Sequence, residues 1–176
     1  MSHWHLGPNP TSDMVLIRRR ADGGRDVLLI RRSPDADAHP GRWAVPGGFV
    51  DTDAPRGVPW LPGRETPAQA VVREVREETG VDVAGLAAAG RVVEIEVRER
   101  PGRDPRDDAE RWTRTHVFLA VADECEVGAS PSGADDAGEA AWIPLDEALA
   151  LPLAFDHGEM LLVAVGRMSN SVQSPR

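Results

Sequence analysis

The chain has 176 residues, 41% hydrophobic and 28% charged, with 20 basic against 29 acidic residues and a formal net charge of −9. Every basic residue is arginine; lysine and tyrosine are absent. The acid excess argues against a nucleic-acid or anionic-membrane partner, the single Cys125 excludes an internal disulfide or a cysteine metal cluster, and no apolar run reaches the roughly 20 residues of a membrane-spanning helix.

In chain order, residues 1–12 carry histidines, Trp4 and two prolines without periodicity and read as a tail or edge segment, with Trp4 a candidate dimer contact. The folded domain is expected over residues 13–167, followed by a frayed tail at 168–176. Met14–Arg20 and Val27–Arg32 are β-rich runs around Ala-Asp-Gly-Gly-Arg-Asp, a hairpin signal. Trp43–Val50 reads as a strand broken at Pro46-Gly47-Gly48, and Asp51–Arg64 as a loop with three prolines and Trp60 at its tip. Pro67–Thr79 is the clearest helix: Thr66 and Gln69 form a capping box, Pro67 suits the first turn and Gly80 the stop. Ala68, Val71, Val72 and Val75 give it an apolar face. Arg91–Arg98, Thr113–Ala122 and Ala140–Pro144 read as strands, and Leu145–Ala150 and Phe155–Arg167 as helices. Strands interleaved with helices predict an α/β fold, an α/β/α sandwich around a mixed sheet. The absence of leader and membrane signals makes a cytoplasmic location the expectation.

The capped helix carries Arg73-Glu74-Val75-Arg76-Glu77-Glu78-Thr79-Gly80-Val81. Glu77 and Glu78 fall about 60° and 40° to either side of Glu74, so three carboxylates share one face. Like charges at this spacing destabilise a helix. The face is either a solvated acidic surface or the site of a hard divalent cation, which takes oxygen ligands. Arg73 can lock a carboxylate by a bidentate hydrogen bond.

Glu65 stands eight residues before Arg73, and Pro46-Gly47-Gly48-Phe49-Val50-Asp51 lies upstream. In these residues the chain resembles the Nudix hydrolase family, whose signature is G-x5-E-x7-R-E-U-x-E-E-x-G-U (U apolar). Glu65 through Val81 matches every fixed position. The signature's first glycine falls on Pro59; Gly48 is the natural match, which implies roughly eleven inserted residues within Asp51–Arg64. Trp60 in that insertion has two readings, packing on the domain surface or stacking on a base or ribose.

The resemblance implies a Nudix-type fold and metal-dependent hydrolysis of a nucleoside diphosphate linked to another group. It implies Glu74, Glu77, Glu78 and the Gly47 carbonyl as ligands of Mg²⁺, with Mn²⁺ as a substitute, and Glu65 and Arg73 as holders of the loop–helix geometry. Further segments resemble ADP-ribose pyrophosphatases: Gly41–Asp51, the loop Arg103-Asp104-Pro105-Arg106 with Trp112, the segment Ala134–Trp142 with Asp135 and Asp136, and Leu153–His157. They imply substrate contacts by Arg103, Asp104, Arg106, Trp112, Asp135 and Asp136. Glu139 is either a distal metal-binding carboxylate or a solvated residue, and His157 either a general base or a helix-start hydrogen-bonding group. The reaction implied is ADP-ribose to AMP and ribose 5-phosphate. The alternatives are hydrolysis of a nucleoside triphosphate or dinucleoside polyphosphate, and a domain that senses ADP-ribose without cleaving it. The intact signature and the chain's end soon after Arg167 favour the enzyme. The other histidines lack partners at ligand spacing, and Cys125 is expected to be a small buried residue.

Overall fold

The computed structural model describes residues 5–128, 130–133 and 137–171. Its elements are β1 (Gly7–Arg19), β2 (Arg25–Arg32), β3 (Trp43–Ala44), β4 (Gly47–Phe49), α1 (Pro67–Thr79), α2 (Ala84–Ala88), β5 (Val93–Glu99), β6 (Arg111–Asp123), α3 (Glu124–Val127), β7 (Ala137–Pro144), α4 (Leu145–Ala150) and α5 (His157–Ser171). The strands form one seven-stranded sheet with the path β3-β2-β1-β6-β5, β4 pairing with β1 and β7 with β2. β1 and β6 run parallel, from Gly7 opposite Arg111 to Arg19 opposite Asp123, while the other pairs are antiparallel. The sheet is mixed, as expected.

Period-two alternation along β1 divides the core between two layers. Met14 and Leu16 face α1 and α2 with Val71, Val75, Leu86 and Phe118, whereas Val15 and Ile17 face α4 and α5 with Leu29, Ala148, Met160 and Leu161. Ala70 and Val71 are buried on α1 but Ala68 is exposed, so the apolar face is turned slightly from the one predicted.

The topology opens a gap in the sheet. β1 and β2 pair only over Ile17–Arg19 and Val27–Arg25, then diverge. β3 fills the β2 side of the gap and β4 the β1 side, where Thr11, Ser12 and Asp13 face Phe49, Gly48 and Gly47. The Val45–Pro46 turn between them is held as the Met14 N–H donates to the Pro46 carbonyl at 2.9 Å. The diglycine therefore lies at the mouth of the split.

Three expectations change. Residues 7–12, read as tail, form the first half of β1, because β6 and β4 supply partners on both edges despite Pro8 and Pro10. Residues 168–171 continue α5. Cys125 is exposed on the four-residue helix α3, whose buried residue is Val127. Trp4 lies outside the described residues.

Candidate active site

α1 is shaped by its own residues. The Gln69 N–H donates to the Thr66 hydroxyl (3.3 Å), the Thr66 N–H donates to the Gln69 side-chain Oε1 (2.8 Å), and Gly80 closes the helix at φ 69°. A left-handed stop of this kind favours glycine. The helix packs its glutamate face against β4.

Arg73 holds that face together. Its Nε and Nη2 donate to the two oxygens of Glu65 at 3.0 and 2.7 Å, and its Nη1 donates to Glu74 Oε1 at 2.7 Å and Glu77 Oε2 at 3.0 Å. Nη2 also reaches the Phe49 carbonyl at 3.1 Å. The Asp51 N–H donates to Glu65 Oε2 (3.0 Å), tying the start of the inserted loop to the same carboxylate. Burial raises the Glu65 pKa, but the Arg73 fork and the Asp51 N–H hold it below the usual carboxylate range. Glu65 and Arg73 thus join the inserted loop and β4 to α1.

The glutamates do not form a solvated face. Glu74 and Glu78 turn inward and Glu77 remains about half exposed. Glu78 Oε2 accepts from the Gly47 N–H at 2.9 Å, yet burial and the Glu74 and Asp13 charges push its pKa up to about 8. Burial likewise raises Glu74, against the pull of Arg73. Asp13, on β1 opposite Gly47, is pushed up to about 7 by burial, partly offset by Arg103 and reinforced by Asp156 and Glu74. A Cβ on Gly48 would lie 2.4 Å from Glu74 Oε1, and one on Gly47 would lie 2.3 Å from the Ser12 carbonyl. Only glycine lets the strand approach this closely.

The donors are therefore hard oxygens whose charges burial penalises and Arg73 compensates only in part, which is the chemistry a divalent cation fits. Among the described residues no three acidic, histidine or cysteine side chains stand as a preformed cage. Glu74 and Glu77 each give one oxygen to Arg73.

Across the diglycine lies a small cleft of about 70 Å³, bounded by Arg32, Phe49, Arg106, Phe155 and His157, with Thr11, Thr113 and Thr115 along β1 and β6. Arg106 is held by Asp104, which accepts from its Nε at 2.9 Å and its Nη2 at 2.6 Å. Arg106, Asp104 and Arg103, all expected to contact substrate, border the cleft, with buried Asp104 orienting Arg106. Arg103 is the most tightly held. Its side chain is only 8% exposed and spans Asp156 (2.5 Å) and the Thr115 hydroxyl, so it acts as a buried brace. Trp112, on β6 next to the cleft-lining Thr113, donates from Nε1 to Glu99 at 3.1 Å. Glu139 is exposed on β7, 3.7 Å from Arg31. Asp135 and Asp136 lie outside the described residues.

The sequence reading missed Arg32, Asp13 and the surroundings of Phe155. The Arg32 guanidinium lies 5.0 Å above the Phe155 ring, and its Nε donates to the Ala38 carbonyl at 2.8 Å. Burial and the nearby Arg106 charge hold its pKa below the ordinary arginine range. Two half-buried guanidinium groups this close repel, and an anion between them relieves the repulsion. Phe155 and His39 pack edge to face at 4.7 Å, and both have φ of 50°, an uncommon conformation outside glycine. The alternation that places Arg32 on the face of Ile30 was the available signal. His157, the first residue of α5, is buried, and its Nδ1 accepts from the Val45 N–H at 3.1 Å. Burial pushes its pKa down to about 3.

A sequence profile of the NUDIX domain matches residues 8–163. Over 171 residues, 94% of this chain and 57% of the relative, the chain is 29% identical to the ADPR responsive transcriptional repressor NtrR of Acinetobacter baylyi. It is 34% identical over 136 residues, 77% of this chain and 63% of the relative, to an ADP-ribose pyrophosphatase of Methanocaldococcus jannaschii. The fold matches the NUDIX domain of Shewanella oneidensis NrtR complexed with ADP ribose at TM-score 0.71, with 26% identity over 92% of this chain and 89% of that one. The chain spans about three fifths of the length of the two curated relatives. No helix among the described residues is long and apolar enough to cross a membrane.

Proposed function

The chain belongs to the NUDIX family, and we propose that it is a metal-dependent pyrophosphohydrolase that converts ADP-ribose and water into AMP and ribose 5-phosphate. The observation that carries this reading is the Arg73 cluster, in which one guanidinium arranges Glu65, Glu74 and Glu77 beside the diglycine strand. Glu74, Glu77, Glu78 and the Gly47 carbonyl would hold Mg²⁺, and Mn²⁺ suits the same oxygen donors. When bound, such an ion lowers the pKa of an attacking water and neutralises charge developing on the phosphoryl oxygens. Arg32 and Arg106 offer guanidinium groups to the diphosphate from the opposite wall. Arg73 keeps the glutamates in register, and Asp104 keeps Arg106 turned to the cleft. The names of the two ADP-ribose-linked relatives support the choice of substrate.

A second reading is favoured by the similarity to a repressor across 94% of this chain. In it the domain binds ADP-ribose and leaves it intact. Phosphorus NMR of the products formed in ¹⁸O-labelled water separates the two and identifies the phosphorus attacked. With Mg²⁺ present, Glu77→Gln is expected to lower kcat at least about 10²-fold. Full activity in that variant, or tight ADP-ribose binding without turnover in the unmodified protein, overturns the hydrolase assignment.

A further inference from the structure

The turn from β3 into β4 is tied to both layers of the fold by side chains. The N–H of buried Val45 donates to Nδ1 of His157, at the start of α5, at 3.1 Å. Pro46 has no N–H to place. The next donor, the Gly47 N–H, goes to Glu78 Oε2 on α1 at 2.9 Å. A buried backbone N–H outside the strand ladder needs a partner of this kind. The start of α5 is itself fixed to β3, because the Ala154 N–H donates to the Trp43 carbonyl at 2.8 Å and the His157 N–H to the Ala154 carbonyl at 3.1 Å.

The bond from Val45 also decides the state of the imidazole. A ring nitrogen that accepts a hydrogen bond carries no hydrogen, so His157 is neutral, with its single N–H at Nε2. Nε2 faces Asp13 Oδ2 at 3.6 Å, and both residues are buried. That distance is too long for a hydrogen bond, but at low dielectric the N–H dipole is still attracted to the carboxylate. Asp13 is the β1 partner of Gly47, and a Cβ on Gly47 would collide with its Oδ1. The carboxylate is therefore packed on the Gly47 backbone from β1 while Glu78 holds the same residue from α1.

We propose that His157 and Asp13 are positioning residues that act as one strut. His157, fixed as the Nε2–H tautomer, spans from the Val45 N–H to Asp13 and so sets the Gly47 backbone against Glu78. Removing the imidazole frees the turn and leaves the Val45 N–H buried and unpaired. The consequence for catalysis rests on the hydrolase reading above, in which the Gly47 carbonyl and Glu78 hold the metal; the strut itself does not.

The test uses the full chain. In the metal-free protein, long-range ¹H–¹⁵N NMR, with His157 assigned by its loss in His157→Asn, is expected to show Nδ1 bare and Nε2 protonated. Asp13→Asn is expected to move the Nε2 resonance. A hydrogen on Nδ1, or an Nε2 resonance indifferent to Asp13→Asn, overturns the strut. His157→Phe keeps a ring but neither nitrogen, and should speed amide exchange at Gly47 more than at Leu16 and Leu28, which are buried on β1 and β2. Equal acceleration at all three would make His157 a residue of general stability and overturn its positioning role. Mn²⁺ binding, followed by electron paramagnetic resonance without substrate, should weaken about tenfold in His157→Phe. His157→Asn retains an oxygen that can accept from Val45 but is too short to reach Asp13. Both effects are expected there with the same sign and smaller size, and that variant decides the matter if His157→Phe does not fold. Unchanged Mn²⁺ affinity in a chain that hydrolyses ADP-ribose sinks only the strut, whereas selective exchange at Gly47 in a chain that hydrolyses no nucleoside diphosphate sinks only the hydrolase reading.

Discussion

On the α1 side of the diglycine, one arginine serves four groups from residues 49–77: Phe49, Glu65, Glu74 and Glu77 all accept from Arg73. On the cleft side three arginines, one from the end of β2 and two from the loop between β5 and β6, take different duties. Arg103 is sunk against Asp156, Arg106 is turned outward by Asp104, and Arg32 lies over Phe155. The first wall has more acid than base and the second presents cationic groups to the cleft. A diphosphate with a divalent cation meets both requirements, because the cation inverts the local sign beside the glutamates. The −9 net charge thus says little about what this cleft attracts.

The largest expected effect tests whether the facing wall depends on its buried brace. Asp156 Oδ1 and Oδ2 face Arg103 and Arg98, and all three side chains are 13% exposed or less. Asp156→Ala takes the paired carboxylate from buried Arg103, while Arg98 keeps Glu96 and Glu159, and is expected to cost about 3–5 kcal/mol in urea unfolding. A loss below about 1 kcal/mol would place the support elsewhere. The diglycine divides the walls more finely. Gly47→Ala drives a Cβ into the Ser12 backbone and is expected to cost about 1–3 kcal/mol. The three atoms nearest a Cβ in Gly48→Ala belong to the Glu74 carboxylate, so stability should change less while kcat falls by up to about 10²-fold through misplacement of that group. Equal stability losses in the two variants would break the distinction.

A smaller effect appears in pH. The folded pKa of Glu78, about 8, and that of Asp13, about 7, exceed the ordinary 4.5 and 3.8. The folded state therefore binds more protons than the unfolded one between about pH 4 and 8. In chelator, stability from these two groups should fall as pH rises through that window. Mg²⁺ should flatten the slope by favouring the ionised carboxylates, which Tm measured against pH in chelator and in Mg²⁺ will check. The smallest change is expected at Glu139, whose exposed pairing with Arg31 at 3.7 Å should make Glu139→Gln cost less than about 1 kcal/mol. A large loss of turnover in that variant would instead assign it to the metal-binding carboxylates.

The two walls also differ in how far they could be read beforehand. Thr66, Pro67, Gln69 and Gly80 mark the ends of α1 because capping is local chemistry. Glu74, Glu77 and Glu78 fall on one face through helical spacing alone. Arg103 resembled a phosphate-binding residue in sequence, but its burial depends on Asp156, 53 residues away. Arg32 gave only a strand-end arginine, and its importance emerges once Phe155 and Arg106 are beside it. The first half of β1 was illegible for a related reason: its prolines mask a strand stabilised by partners at residues 47–49 and 111–117.

By itself the sequence determined the capped helix, its glutamate face, the glycine break before it and the loop inserted between them. These follow from backbone sterics and from interactions spanning a few residues. Only the tertiary structure decided which charges are buried, which arginines remain for a ligand and which side chains meet the turn at Pro46. Burial and pairing are set by atoms that meet through the divergence of β1 and β2, and no local pattern records that meeting.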